Sequence, residues 1–202
     1  MIHRATRLLA AAAIAALAAS STSAQQPTRV RGTIEALDGN MLMVKARDGA
    51  SLHVMLTNNA QVVGVVKATL ADIKEGSFIG SGAVPQADGS QKAVEVHIFP
   101  EAMRGTGEGH RPWEGAANGT MTNGTVGAAV TSVEGGAVTL KYKDGEKKLI
   151  VAPGTPIVRY EIGGRDDLKA GAAVTITNAM RKPDGSLEAA RVNVGRDGVV
   201  PN

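Results

Sequence analysis

Sulfur and imidazole side chains cluster in the first third of the chain. Met41 and Met43 stand two residues apart, and after a short loop His53 and Met55 do the same. If the apolar residues between them face a core, strand alternation turns all four side chains outward. A hairpin with a three-residue loop then places Met43 opposite His53 and Met41 opposite Met55, with Cβ atoms about 4.5–5.5 Å apart. Thioethers and one imidazole suit Cu(I), so the pattern predicts a copper site.

The same Met/His patch also fits an interpretation without metal. Methionine fills irregular apolar gaps, so the patch can instead be a packing surface beneath a linker or against a second domain. The matching positions in the second half of the chain are not soft ligands: Ala137, Thr139, Leu149 and Val151. Metal binding and packing both stay open at this point.

Trp113 and His97 are two further candidates for this patch, as a lid or as a partner contact. Trp113 is the only tryptophan of the chain and lies in a Gly-rich segment, residues 100–125. This segment is either a flexible spacer or a segment docked through its indole. His97 joins the patch if the last strand of the first unit lies beside the third, as in an OB-type barrel.

Motifs for catalysis are missing from the sequence. It contains no nucleophile elbow, no His-Glu-x-x-His and no phosphate-binding loop. The glycines at 105, 107 and 109 have the wrong spacing for a dinucleotide site. The one adjacent acidic pair, Asp166-Asp167, begins a turn, where Asp commonly caps the chain. We therefore expect a protein that is not an enzyme.

The N-terminus has the pattern of a secretory signal. Arg4 and Arg7 precede an apolar run that ends at Ala19, and small residues follow up to Ala24. This pattern predicts export to the periplasm with cleavage after Ala24. The run is shorter than the roughly 20 residues that cross a bilayer, so we do not expect an integral membrane protein.

Charge and cysteine content narrow the partners further. The chain has 22 Lys and Arg residues against 19 Asp and Glu, and two of the arginines belong to the predicted signal. Such a balance predicts no nucleic-acid partner. The absence of cysteine excludes disulfides and thiolate chemistry.

The rest of the sequence reads as one β-rich unit written twice. Asp48-Gly49 recurs as Asp144-Gly145, and Asp88-Gly89-Ser90 recurs as Asp184-Gly185-Ser186. Asp-Gly between alternating runs predicts hairpins. Each copy predicts five strands with a short helical turn, so the expected fold is all-β, with two tandem OB-like barrels or meander sheets. The expected domains are a signal peptide over 1–24, a first barrel over 25–99, a linker over 100–125 and a second barrel over 126–202.

The unit resembles an exported bacterial family of small all-β repeats whose function is unknown. The resemblance rests on Gly32-Thr33-Ile34, on the Asp-Gly hairpins, and on the turns Ile73-Lys74-Glu75-Gly76 and Leu168-Lys169-Ala170-Gly171. The two-copy form with a His-Arg-Pro-Trp linker resembles proteins often labelled metal ABC transporter permease. The resemblance implies small barrels and export, and it implies no catalytic residues.

Together these features predict a soluble periplasmic binding or interaction protein without catalytic activity. Its expected partner is a small ligand or an envelope protein. The alternative is a periplasmic Cu(I)-binding protein that uses the Met/His patch.

Overall fold

The computed structural model describes residues 27–132 and 135–202, so the predicted signal peptide and its cleavage site lie outside the described residues. Within these residues the fold is all-β, as predicted, with 3-10 turns at Leu70–Asp72, Glu101–Met103 and Arg165–Asp167. In chain order the strands are β1 (Thr28–Asp38), β2 (Met41–Ala46), β3 (Ser51–Lys67), β4 (Phe78–Pro85), β5 (Gln91–Ile98), β6 (Gly109–Pro112), β7 (Thr120–Ser132), β8 (Gly135–Tyr142), β9 (Gly145–Val151), β10 (Ile157–Ile162), β11 (Ala173–Arg181) and β12 (Leu187–Gly195). No helix in the described part is long and apolar enough to cross a bilayer.

The predicted Asp-Gly hairpins are present. Gly49 and Gly89 have φ values of 89° and 83°. Residues with a Cβ atom rarely adopt such positive φ values. Ala46 donates a backbone hydrogen bond to Ala50, which closes the three-residue loop between β2 and β3. The Asp48 side chain accepts a hydrogen bond from the Ala50 amide, so the turn residues also satisfy the loop backbone.

The first ring is a closed five-stranded barrel that takes strands from both ends of the chain. Antiparallel pairing runs from β12 through β11, β1 and β2 to β3, and β12 then closes on β3 in parallel. Its core contains Val30, Leu42, Val54, Ile176 and Val192, each nearly or fully buried. Closure leaves no free edge among these strands.

The second ring joins β4, β5, β7, β8 and β9. Its closing contact is short, with Gln91 opposite Leu149 and Lys92 opposite Ile150 between parallel β5 and β9. Ile79, Val96 and Leu140 lie in its core. The 3-10 turn after β3 adds Ile73 to the same core, as the helical element between strands does in an OB-like arrangement.

The expected arrangement, in which each copy closes its own barrel, is not confirmed. The last two strands of each half are exchanged: β4 and β5 complete the ring of β7–β9, while β11 and β12 complete the ring of β1–β3. The long strand β3 makes the crossing, since its first half pairs with β2 and its second half with β10. Hairpin signals report only local pairing, so they did not reveal this exchange.

Between the rings, β3 and β10 form an antiparallel ladder with its own apolar cluster. Val63 and Val65 of β3 pack there with Tyr160 and with Met103 from the segment that joins the two halves. That segment, residues 100–125, is docked: it contains β6 and the start of β7. The flexible-spacer interpretation of this segment is therefore wrong.

Candidate functional site

The Met/His patch has the predicted register. Met41 pairs with Met55, and Met43 pairs with His53. The intervening Leu42 and Val54 are fully buried, so the four side chains lie on the outer face of the first ring. His53 and Met55 are exposed, and the two methionines of β2 are half-buried.

The counterparts of this patch in the second half differ by one position from the sequence alignment. Thr139 pairs with Lys148 and Ala137 with Ile150, because the β8–β9 hairpin loop is one residue shorter than the β2–β3 loop. The structural counterparts of His53 and Met55 are therefore Lys148 and Ile150, which are not soft ligands either. Among the described residues, no three His, Asp or Glu side chains come together as a metal site.

Trp113 and His97 do not lie near the Met/His patch. His97 is on β5, which pairs with β4 and β10, because strand exchange puts β12 rather than β5 beside β3. The indole of Trp113 lies over Gly82 of β4. These two side chains therefore do not form a lid over the patch.

Both residues instead line a cleft of about 610 Å³ where the two rings meet. One wall comes from β1, β11 and β12 of the first ring, and the other comes from β5, β7 and the docked segment. Tyr160 of β10 lies in the cleft between the walls. This volume is in the range of small-molecule sites, which commonly occupy such junctions.

The first-ring wall is basic. Arg29 and Arg31 flank the buried Val30, so both point out of the barrel into the cleft, and Arg191 joins them from β12. Within residues 27–132 and 135–202, none of these three arginines forms an ion pair with a carboxylate. The Nε atom of Arg31 is buried without a hydrogen-bond partner. The wall thus holds three positive charges, which, among the described residues, only the charge of Glu95 across the cleft partly offsets.

The pKa shifts of Arg31 and Arg191 agree with this excess of positive charge. Burial, together with repulsion from Arg29 and Arg47, lowers the pKa of Arg31 and outweighs the attraction of Glu95, which raises it. Burial also lowers the pKa of Arg191. A guanidinium whose pKa falls is one whose charge is poorly compensated, so an anion in the cleft would stabilise this wall.

The second-ring wall carries one acid, and that acid is already satisfied. Glu95 is 6% exposed, its Oε1 lies 3.3 Å from His97 Nε2, and Asn202 Nδ2 donates to its Oε2 at 2.7 Å. Burial alone would raise the pKa of Glu95, but the His97 and Asn202 hydrogen bonds and the charge of Arg29 outweigh it and lower the pKa. The carboxylate therefore stays ionised and held in place, and the cleft as a whole remains basic.

Gly82 of β4 and Gly115 of the neighbouring loop make room for the indole of Trp113. A Cβ atom on Gly82 would lie 2.6 Å from Trp113 Cη2, which is closer than real contacts allow. The backbone amide of Trp113 donates to the Gly119 carbonyl at 2.9 Å and holds the loop against the sheet. Trp113 is thereby fixed as a half-buried apolar surface on the cleft wall.

Tyr160 joins the two walls. Its ring stacks on His97 at 5.1 Å between centroids, and the guanidinium carbon of Arg191 lies 5.9 Å from its centroid. Burial raises the pKa of Tyr160 to about 12. Its phenol therefore stays neutral. Its aromatic side chain contacts His97 of the second ring and Arg191 of the first ring.

A second hollow, of about 660 Å³, lies near Arg159 and Arg196. Its charges are paired within the protein: Arg196 forks onto Asp167 with two contacts of 2.9 Å, and Arg159 lies 3.4 Å from Glu161. Internal pairing of this kind leaves little charge for a ligand, so the inter-ring cleft is the better candidate site.

Sequence reasoning missed the cleft because its walls come from elements far apart in the chain. Two local signals point to it in retrospect. Arg29-x-Arg31 around a core valine puts two like charges on one strand face, and Gly80-x-Gly82 leaves a strand face bare for another group. Comparisons with protein-family models, with curated proteins and with solved structures return no match. The family resemblance therefore stays a prediction.

Proposed function

We propose that this chain is an exported binding protein without catalytic activity, and that it holds an anionic ligand in the cleft between its two rings. The observation that carries the proposal is that Arg29, Arg31 and Arg191 line one cavity and that none of them is ion-paired within the described residues. Guanidinium groups make charge-assisted, often bidentate, hydrogen bonds to carboxylates and phosphates. An anion would also relieve the repulsion between Arg29 and Arg31.

The arrangement of the remaining polar groups favours binding over catalysis. Glu95 and His97 face each other, and Asn202 holds the second oxygen of the carboxylate. A general base needs a free lone pair within reach of a substrate proton. Glu95 and His97 instead make their hydrogen bonds to groups within the cleft wall. Location in the periplasm rests on the signal pattern that ends at Ala24.

Anion titration of the mature protein tests the proposal. Citrate and sulfate should each raise the melting temperature at constant ionic strength, because a ligand that binds the folded state stabilises it. Arg31→Gln should weaken citrate binding by about tenfold or more, since a hydrogen bond to a charged group contributes about 1.5–3 kcal/mol. Lys45→Gln is the matched control, because it removes one positive charge from the exposed face of β2. Equal binding by the two variants would refute the cleft as the site.

A Cu(I)-binding role for the Met/His patch is the second candidate. The observation that favours it is the pairing of Met41 with Met55 and of Met43 with His53 on one outer face. Three thioethers and an imidazole within one cross-strand square form a soft donor set. The two proposals involve separate surfaces and can be tested separately.

A further inference from the structure

We infer that the anion held in this cleft is an acidic sugar, meaning a pyranose ring that carries a carboxylate or a phosphate. The inference rests on the proposed function, because it names the ligand class of the same site. It follows from three features of the cleft: a charged corner, neutral hydrogen-bonding groups beside that corner, and an apolar wall.

The charged corner selects an acid group. Arg29 and Arg31 project side by side from β1, with Arg191 from β12 nearby. Planar guanidinium groups match the paired oxygens of carboxylate and phosphate, so either acid suits this corner. A neutral sugar would leave these charges as they are.

Neutral hydrogen-bonding groups lie directly beside the charges. A bulge in the β1–β11 pairing places Thr177 and Asn178 opposite Arg29. Both side chains are exposed and line the cleft, and within the described residues neither one makes a side-chain hydrogen bond. A hydroxyl can donate to the Asn178 carbonyl oxygen and accept from the Thr177 hydroxyl, whereas acetate can only accept. The site therefore fits a ligand that carries hydroxyl groups next to its acid.

The opposite wall offers an apolar surface for the ring. Trp113, whose indole is held by Gly82 and Gly115, borders the cleft with Met121 and Val94. These apolar groups can pack against the C–H groups of a pyranose while the ring hydroxyls stay at the polar side. An aromatic acid would also pack there, but it has no hydroxyl group to bond the side chains of Thr177 and Asn178.

Calorimetric titration of the mature protein with matched probes tests the inference. The probes are glucuronate, glucose 1-phosphate, glucose, benzoate, acetate and inorganic phosphate. Glucuronate or glucose 1-phosphate should bind at least about tenfold more tightly than glucose, benzoate and the two simple anions. The stronger of the two acidic sugars identifies whether the acid is a carboxylate or a phosphate.

Each other outcome is decisive as well. Equal affinity for all the anions would overturn the sugar inference and leave the proposed anion site standing. Benzoate as the tightest ligand would do the same and point to an aromatic acid. No binding of any anion would overturn the proposed function itself, and glucose binding as well as glucuronate would overturn both.

Two variants separate the ring contact from the charge. Trp113→Leu and Thr177→Val should each weaken acidic-sugar binding about fivefold more than they weaken phosphate binding, because the sugar ring adds C–H and hydroxyl contacts to these side chains that phosphate lacks. Thr177→Val keeps the shape of an exposed strand residue, so it tests the inference even if Trp113→Leu unfolds. Circular dichroism checks the fold of each variant. An unchanged sugar-to-phosphate affinity ratio in a folded Thr177→Val variant would contradict the inference.

Discussion

Val65 of β3 and Tyr160 of β10 are paired at the centre of the ladder that joins the two rings. The neighbouring parallel pairs are arranged symmetrically about them, with Val62 beside Val192 on one side and Ile157 beside Val96 on the other. Tyr160 also lies in the cleft, so this ladder sets how the two walls are placed. Glu95 of β5 and Arg191 of β12 lie on the two walls, and the cleft stays basic because Arg29 and Arg31 stand on the same wall as Arg191.

Strand exchange predicts that the two halves stay together after the chain is cut. Trypsin cleavage at the exposed Arg111 leaves β11 and β12 on one fragment and β1–β3 on the other, yet these strands form one barrel. The nicked protein should therefore elute as one species in native size-exclusion chromatography and separate only in denaturant. Two folded fragments that elute independently would show instead that each copy folds on its own strands, as the sequence pattern predicts.

Gly82→Ala should release Trp113 from the cleft wall. The new methyl group would overlap the indole, so the side chain must move, and we expect a loss of about 1–3 kcal/mol in unfolding free energy. Tryptophan fluorescence should shift to longer wavelength, and denaturant titration should report the stability loss. Gly164→Ala is the control, because nothing lies near its Cβ position and its φ of −134° is ordinary. Identical spectra for the two variants would contradict the packing described for the indole.

Glu95 should contribute to stability only above its lowered pKa. A carboxylate whose folded pKa lies below its ordinary value of 4.5 stabilises the fold above that value, and this stabilisation is lost as the pH falls through the folded pKa. Glu95→Gln should cost about 1–3 kcal/mol near neutral pH, and this difference from wild type should shrink as the pH falls from neutral to below 4.5. Urea unfolding across that range measures it, with the exposed Glu75→Gln as control. A difference that stays constant with pH would refute the ionised-pair interpretation.

The Met/His patch should bind about one Cu(I) if the second candidate function is correct. Replacing Met41 and Met43 together with Leu should abolish tight binding but change stability little, because Leu keeps the volume and the apolar character. Competition with a chromophoric Cu(I) chelator under reducing conditions measures the affinity. Met180→Leu, an exposed methionine on β11, is the control. Equal affinity in the double variant and the control would exclude the patch as a copper site.

Local features of this fold were predictable from sequence, because they depend on neighbouring residues. The Asp48-Gly49 hairpin, the outward register of Met43 and His53, and the buried alternation around Val54 all follow from turn chemistry and strand period. The partner of β3 did not follow. Parallel pairing of Val192 with Val62 joins strands more than a hundred residues apart, and no turn residue marks it.

The candidate site was less predictable than the fold for the same reason. Arg29 and Thr177 become neighbours only because β11 is exchanged into the first ring. Trp113 was recognised as an unusual residue for a linker, but its contact with Gly82 depends on β4 crossing into the second ring. The sequence alone shows which chemical groups these residues carry, but it does not show which of them lie next to each other in the fold.

The exchange of β11 and β12 also governs when the chain can fold. As synthesis or translocation proceeds from the N-terminus, residues 28–67 emerge long before Leu187–Gly195, the strand that closes their barrel. A core completed by such distant contacts forms late and slowly. The entropy cost of closing the long loop comes before those contacts can stabilise the fold. The N-terminal half therefore keeps unpaired strand edges until the last strands arrive, and such incomplete species are prone to aggregate.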